Sequence, residues 1–264
     1  MTTTAHEPLI LLVHRLPYPP NKGDKIRSYH LLRYLAAHYR TYLGTFVDDP
    51  GDLEHAATLG QWCADVHVEP LHPVRSRLRM LPGLVRGEPL SIVSYRSTTM
   101  RRWLRRVIAA TGARNLVCFS AAMAQYADEM PADAHRILDM VDVDSEKWRQ
   151  YGERHRDPLG WIYRREARHL LEFERDAAAA QDAVTFVSHP EADLFRELAP
   201  ESADRIHAIS NGVDCEHFVP EADYANPYPA DVQPLLFTGA MDYWPNIDAV
   251  TWFADQVLPR IGDR

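Results

Sequence analysis

The chain has 264 residues, 46% apolar and 25% charged, with 37 acidic against 29 basic side chains and a net charge of −8. Those proportions exclude a disordered chain, a collagen and a coiled-coil rod, and at roughly 100–200 residues per domain they allow one large domain or two small ones. An acidic chain of pI about 5.9 is a poor nucleic-acid binder, so no nucleic-acid partner is expected.

Residues 1–8 carry neither a basic stretch nor a long apolar one, so no signal peptide is read there. Residues 9–13 form an apolar run without alternation, the pattern of a strand buried on both faces of a parallel sheet. The run is far shorter than the roughly 20 residues of a membrane-spanning helix. Residues 41–47, 65–69, 115–119, 136–140, 183–188, 206–210 and 235–239 read as strands in the same way. Between them, Ile26, Tyr29, His30, Leu32 and Leu35 recur near helical spacing, as do Trp103, Leu104, Val107 and Ile108. The longest expected helix runs from about Pro158 to Gln181, with proline in its first turn. Alternating strand and helix predicts an α/β fold, doubly wound around a mainly parallel Rossmann-like sheet.

The proline-rich residues 219–233 read as a linker. The expected organisation is a first domain over 1–218, a linker over 219–233, and a segment over 234–264 with one strand and one helix, residues 246–258. One β–α unit cannot bury its own apolar face, so it docks on the first domain or begins a second one; the second arrangement is expected. Cys63, Cys118 and Cys215 are scattered and odd in number, which supports neither a disulfide framework nor a metal cluster and points to a reducing, cytosolic compartment.

Residues 75–106 hold nine arginines, no lysine and a single acid, Glu88. One reading is a solvated basic face paired with acidic helices. The other is a surface for anionic lipid headgroups, with Arg101, Arg102, Arg105 and Arg106 facing the membrane. In that reading Leu78, Met80, Leu81, Leu84, Val85, Trp103 and Leu104 insert beside them.

Three loops follow strand-like runs. The first, residues 16–27, leads through Gly23 into a helix. A helix N-terminus with Lys22, Lys25 and Arg27 nearby suits an anion, although a plain tight turn has the same spacing. The second contains Asn211-Gly212-Val213-Asp214 at the carboxyl end of a strand, where open α/β sheets bind ligands. The third runs from Phe237 through Gly239 to Asn246. In this order PYPPNKGDKIRSYHLLRYLA, VSHPEADLF (residues 187–195), NGVD and FTGAMDYWPNIDAV resemble the family 4 glycosyltransferases. The match is nearest to their subgroup associated with exopolysaccharide (PEP-CTERM) gene systems.

The resemblance implies the GT-B fold of two facing Rossmann-like domains, with 1–218 on the acceptor side. It implies transfer of a sugar, with retention, from a nucleotide diphosphate sugar to a polysaccharide or lipid-linked acceptor. It implies no resident cofactor and no metal, and a place in the cytoplasm or peripheral on the inner face of the membrane. Gly23 would lie against the diphosphate and Asp24 near the acceptor, with Lys22 and Arg27 adding charge. Asn211, Gly212 and Asp214 would close the first domain at the cleft, and Gly239 would contact the donor. Family members often carry basic residues after that glycine; this chain has Ala240 and Asp242, and the roles of Asp242, Tyr243 and Trp244 stay open.

The family's paired-glutamate motif has one numerical match, Glu166 and Glu174. Eight residues at about 100° each set the two about 80° apart, on what reads as a solvated helix face. The catalytic residues are therefore unassigned. Asp142-Val143-Asp144 fits a metal-binding pattern by number, but it follows a buried strand and is expected to cap the next helix through Asp144 or Ser145. His14 either faces the cleft or is structural, and His30 reads as packing. Two alternatives remain: a truncated acceptor-side domain that binds without turnover, and a nicotinamide-dependent oxidoreductase. The second lacks its glycine fingerprint, since the first loop has one glycine.

Overall fold

Seven of the eight apolar runs form strands in the computed structural model, which describes residues 6–71, 80, 82–216, 218–219, 225, 227–229, 231–239, 241 and 244–261. They are Pro8–Val13 (β1), Arg40–Val47 (β2), Asp65–Pro70 (β3), Asn115–Phe119 (β4), His135–Val141 (β5), Ala183–Phe186 (β6) and Ile206–Ala208 (β7). All pair in parallel, in the order β3-β2-β1-β4-β5-β6-β7. Both faces are covered, which is why the strands are apolar without alternating. On β1, Ile10 and Leu12 enter the core of one face, while Leu9, Leu11 and Val13 enter that of the other.

Helices and 3₁₀ segments make the crossovers. Gly23–His38 (α1) joins β1 to β2, and a 3₁₀ segment at Pro50–Gln61 joins β2 to β3. Leu90–Ser94 (α2) and Thr98–Thr111 (α3) precede β4; Asp144–Arg154 (α4) and Pro158–Ala179 (α5) precede β6; His189–Leu198 (α6) precedes β7. On α3 the buried stripe is Met100, Trp103, Leu104 and Val107, at i, i+3, i+4 and i+7. Ser97 caps its N-terminus, accepting from the backbone N–H groups of Thr99 and Met100, and Gly112 ends it at φ 68°. Gly44 on β2 admits that helix: a Cβ there would sit 2.8 Å from Leu12, Met100 and Trp103 atoms.

Several expectations need correction. The buried face of α1 is Lys25, Ser28, Leu32 and Leu35, so His30 and Ile26 are exposed. Lys25 is tolerated inside because its Nζ meets Asp52 Oδ2 at 2.5 Å. Glu166 and Glu174 are not solvated; they are 3% and 0% exposed. Each carboxylate accepts from the first backbone N–H groups of another helix. Glu166 takes Leu90 N and Ser91 N at 2.8 Å and Ser91 Oγ at 2.7 Å, while Glu174 takes Ser145 N at 3.1 Å. The cap of α4 is thus supplied from α5, and from α6 by Glu191, which accepts from Val143 N at 2.8 Å. The side chains of Asp144 and Ser145 do not provide it.

The chain divides into two compact units, 1–212 and 213–264. In the second, Trp244–Trp252 (α7) continues through a π-helical turn at Phe253–Val257 into Leu258–Ile261 (α8). Residues 235–239 join no ladder among the described residues, so the eighth expected strand is absent there. None of this unit's described residues is buried; Leu236 is 80% exposed. Of the expected linker, residues 220–224, 226 and 230 lie outside the described residues.

Candidate functional site

In the order above, β1 and β4 are neighbours whose crossovers leave in opposite directions along the sheet. That is the switch point where a crevice opens beyond the carboxyl ends of the strands. His14 and Arg15 follow β1 there, and Ser120 follows β4. Ser120 has φ 78°, and Val141, at the end of β5, has φ 72°. Such values in non-glycine residues cost about 1–3 kcal/mol each and concentrate at functional sites. Val141 also marks a register shift against β6, and its N–H donates to Asp139 Oδ1 at 3.2 Å.

Asp24, in the first turn of α1, organises the front of the crevice. Its Oδ2 lies 2.7 Å from Arg15 Nη1 and 3.6 Å from His14 Nε2. Arg15 also reaches Asp48 Oδ2 at 2.9 Å. Burial opposes the charge on Asp24, but His14 and Arg15 more than offset it and hold the carboxyl well below the usual range. The His14 ring stacks on Phe119, centroids 5.9 Å apart and planes within 6°, with the edge of Tyr95 at 6.0 Å. His14 therefore both packs and borders the crevice. Nothing in its sequence context separated those two roles.

Arg27 joins the first loop to the second. Its Nε donates to Asp139 Oδ2 at 2.8 Å, and its Nη1 donates to the Ile209 carbonyl and to Asn211 Oδ1, both at 2.9 Å. Asp24, Arg27 and Asn211, expected to act together, are thus brought to one end of the sheet. Lys22 and Gly23 stand exposed at the start of α1, and a Cβ on Gly23 or Gly212 would meet nothing within 4 Å. Asp214 and Gly239 belong to the second unit. Asp214 Oδ1 accepts from Glu216 N at 3.0 Å, and Asn246 Nδ2 closes within 2.7 Å of where a Cβ on Gly239 would be. Asp242 and Tyr243 lie outside the described residues. The partners sequence reasoning missed are Asp139, Arg15 and Asp48. A buried aspartate inside a strand run is the signal that singles out Asp139.

Among the described residues of the arginine-rich segment, Arg96, Arg101, Arg105 and Arg106 are ion-paired, Arg96 with Glu88 at 2.8 Å. Arg101 meets Asp128 and Glu129 at 2.7 Å, Arg105 meets Glu129 at 2.5 Å, and Arg106 lies 3.7 Å from Asp65. Arg102 reaches only Thr98 and Thr99 of its own helix. Trp103 and Leu104, expected to insert into a membrane, are core residues. Arg75, Arg77, Arg79, Leu78 and Leu81 lie outside the described residues. No helix among the described residues is long and apolar enough to cross a membrane.

No protein-family model matches the chain, and no curated protein does. Solved structures do. A sucrose-phosphate synthase from Thermosynechococcus elongatus matches 82% of this chain and 51% of its own at 16% identity, with a TM-score of 0.55. Glycyrrhiza uralensis UGT73P12, complexed with glycyrrhetinic acid 3-O-monoglucuronide, matches 77% and 48% at 12% identity, with a TM-score of 0.40. TcCGT1 in complex with UDP matches 95% and 55% at 9% identity, with a TM-score of 0.47. The chain spans about half the length of these structures. The first likeness bears out the expected Rossmann-like doubly wound fold.

Proposed function

We propose that the chain is the acceptor-side part of a glycosyltransferase that moves a sugar from a nucleotide diphosphate donor to a hydroxyl. The observation that carries this reading is the switch-point crevice. Asp24, Arg27 and Asn211 meet there, at the N-terminus of α1, with His14 at the rim. The fold shared with a sucrose-phosphate synthase supports it. In this reading Gly23 and Lys22 receive the diphosphate at the helix N-terminus, where free N–H groups and the dipole offset the charge that builds on the leaving group. Asp24 faces the acceptor. Asn211, Gly212 and Asp214 form the closing loop, and Gly239 and Asp242 contact the donor. The finer reading is a family 4-like hexosyltransferase acting with retention in exopolysaccharide assembly. It takes a polysaccharide or lipid-linked acceptor, needs no resident cofactor or metal, and sits peripherally on the membrane through Arg101, Arg102, Arg105 and Arg106.

The test is release of nucleoside diphosphate from UDP-, GDP- and ADP-sugars, with polysaccharide or polyprenyl phosphate as acceptor. Release that requires acceptor and falls at least about tenfold in Asp24→Asn supports transfer. The anomeric proton coupling of the product then decides between retention and inversion. In a second reading this chain binds acceptor without turnover. Acceptor binding without any nucleotide release selects it.

A further inference from the structure

The face made by α4, α5 and α6 holds a half-open hollow of about 290 Å³. Ala167, Leu171, Leu198 and Ser145 line it together with Arg164, Arg168 and the ion pair of Glu146 with Arg149, and its exposed wall is nearly all carbon. The arginine stems rather than their heads therefore form the wall, and the guanidinium groups stand at the rim.

Those two heads have no carboxylate partner among the described residues. Arg164 is fixed by neutral groups, its Nη1 donating to the Gly152 carbonyl at 2.6 Å and the His155 carbonyl at 3.2 Å. Gly152 leaves it that place, since a Cβ there would come within 2.6 Å of Arg164 Cγ. Arg168 contacts only His169, at 3.2 Å. Arg149, which also borders the cavity, differs: Glu146 and Glu153 neutralise it. Ser145 is 3% exposed, and its hydroxyl faces the Glu174 carboxyl without a hydrogen bond of regular geometry. In a chain of net charge −8, two uncompensated guanidinium groups and a buried hydroxyl around an apolar hollow form a complementary surface.

We propose that this cavity binds an amphiphilic anion, a phosphate monoester of an apolar alcohol. The hydrocarbon lies against Leu171 and Leu198, and the phosphate oxygens lie on Arg164 and Arg168. Guanidinium groups suit this ligand because their planar donors grip phosphate in pairs and are weakly hydrated. Glu174, next to Ser145, does not oppose the anion at neutral pH, because burial keeps its carboxyl protonated up to about 8. The proposal does not rest on the transfer reaction proposed for the crevice.

The experiment is titration calorimetry of the full chain with monomeric n-octyl phosphate, with 1-octanol and inorganic phosphate as separate arms. One saturable site for octyl phosphate is expected, with much weaker binding of both other probes. Arg168→Gln, on an exposed side chain, should weaken it about tenfold, as loss of one charge-assisted pair predicts. Arg114→Gln, before β4, should leave it unchanged. The proposal is overturned if octyl phosphate does not saturate the chain. It is also overturned if octanol or inorganic phosphate binds as tightly as the ester, or if Arg168→Gln binds like the native chain.

Discussion

The half-buried Asp24 and the fully buried Glu174 are carboxyl groups pushed in opposite directions, and the difference lies in what faces them. Asp24 is charged because His14 and Arg15 stand beside it. Its contribution to stability is complete above the ordinary aspartate range and is lost on acidification, as pH falls through its lowered folded value. Asp24→Asn should cost about 1–3 kcal/mol in urea unfolding at neutral pH, and the gap should close as the native carboxyl protonates. On Glu174 the charge of Lys147 is outweighed by burial. Burial raises it from 4.5 to about 8, with the Ser145 hydroxyl and then its N–H partly offsetting and the charge of Asp144 adding. The folded chain keeps a proton that the unfolded chain releases, so stability is highest below the ordinary glutamate value and declines as pH rises to about 8, by up to about 1.4 kcal/mol per unit. Glu174→Gln should flatten that decline, measured as urea midpoints at about pH 5 and about pH 8. The spacing of Glu166 and Glu174 is visible in the sequence, but their burial is not. A helical wheel shows which residues share a side, and says nothing of what packs there.

At the scale of elements, α5 acts as a capping post for its neighbours. Glu166 receives both first N–H groups of α2, a helix of only five residues that has little stability of its own. Glu166→Ala should strand those donors and cost about 1–3 kcal/mol, and hydrogen exchange of residues 90–94 should accelerate more than that of α3. Such borrowed caps are illegible in one sequence, because donor and acceptor are 75 and 76 residues apart. Strands were legible for the opposite reason: burial on both faces leaves a continuous apolar run. Residues 235–239 carry the same run without a partner, and a run without a ladder is not a strand. On α1 the apolar spacing pointed to Ile26 and His30, whereas the buried face is set by Lys25 with its partner Asp52 across the chain. A lysine is the last residue a hydrophobic pattern selects.

At the scale of the first unit, the parallel order and its switch point could be anticipated from alternating elements, and the crevice followed from them. The tie that closes the crevice could not. Arg27 binds Asn211 across 184 residues of sequence, and the Asp139 carboxylate holds both Arg27 and the bulge at Val141. Arg27→Met should leave the sheet intact while accelerating exchange at residues 209–212 well beyond any change in β1 or β4. Equal acceleration everywhere would mean that Arg27 supports the unit as a whole. The strand order also sets a schedule for synthesis on the ribosome. β1 is central, and β2 reaches it early, but Leu9 waits for Asn115 before its other edge is paired, and Arg27 waits for Asn211. Until then the most apolar strand of the nascent chain has an open edge on which a second chain could template, and that interval is where chaperones have most to do.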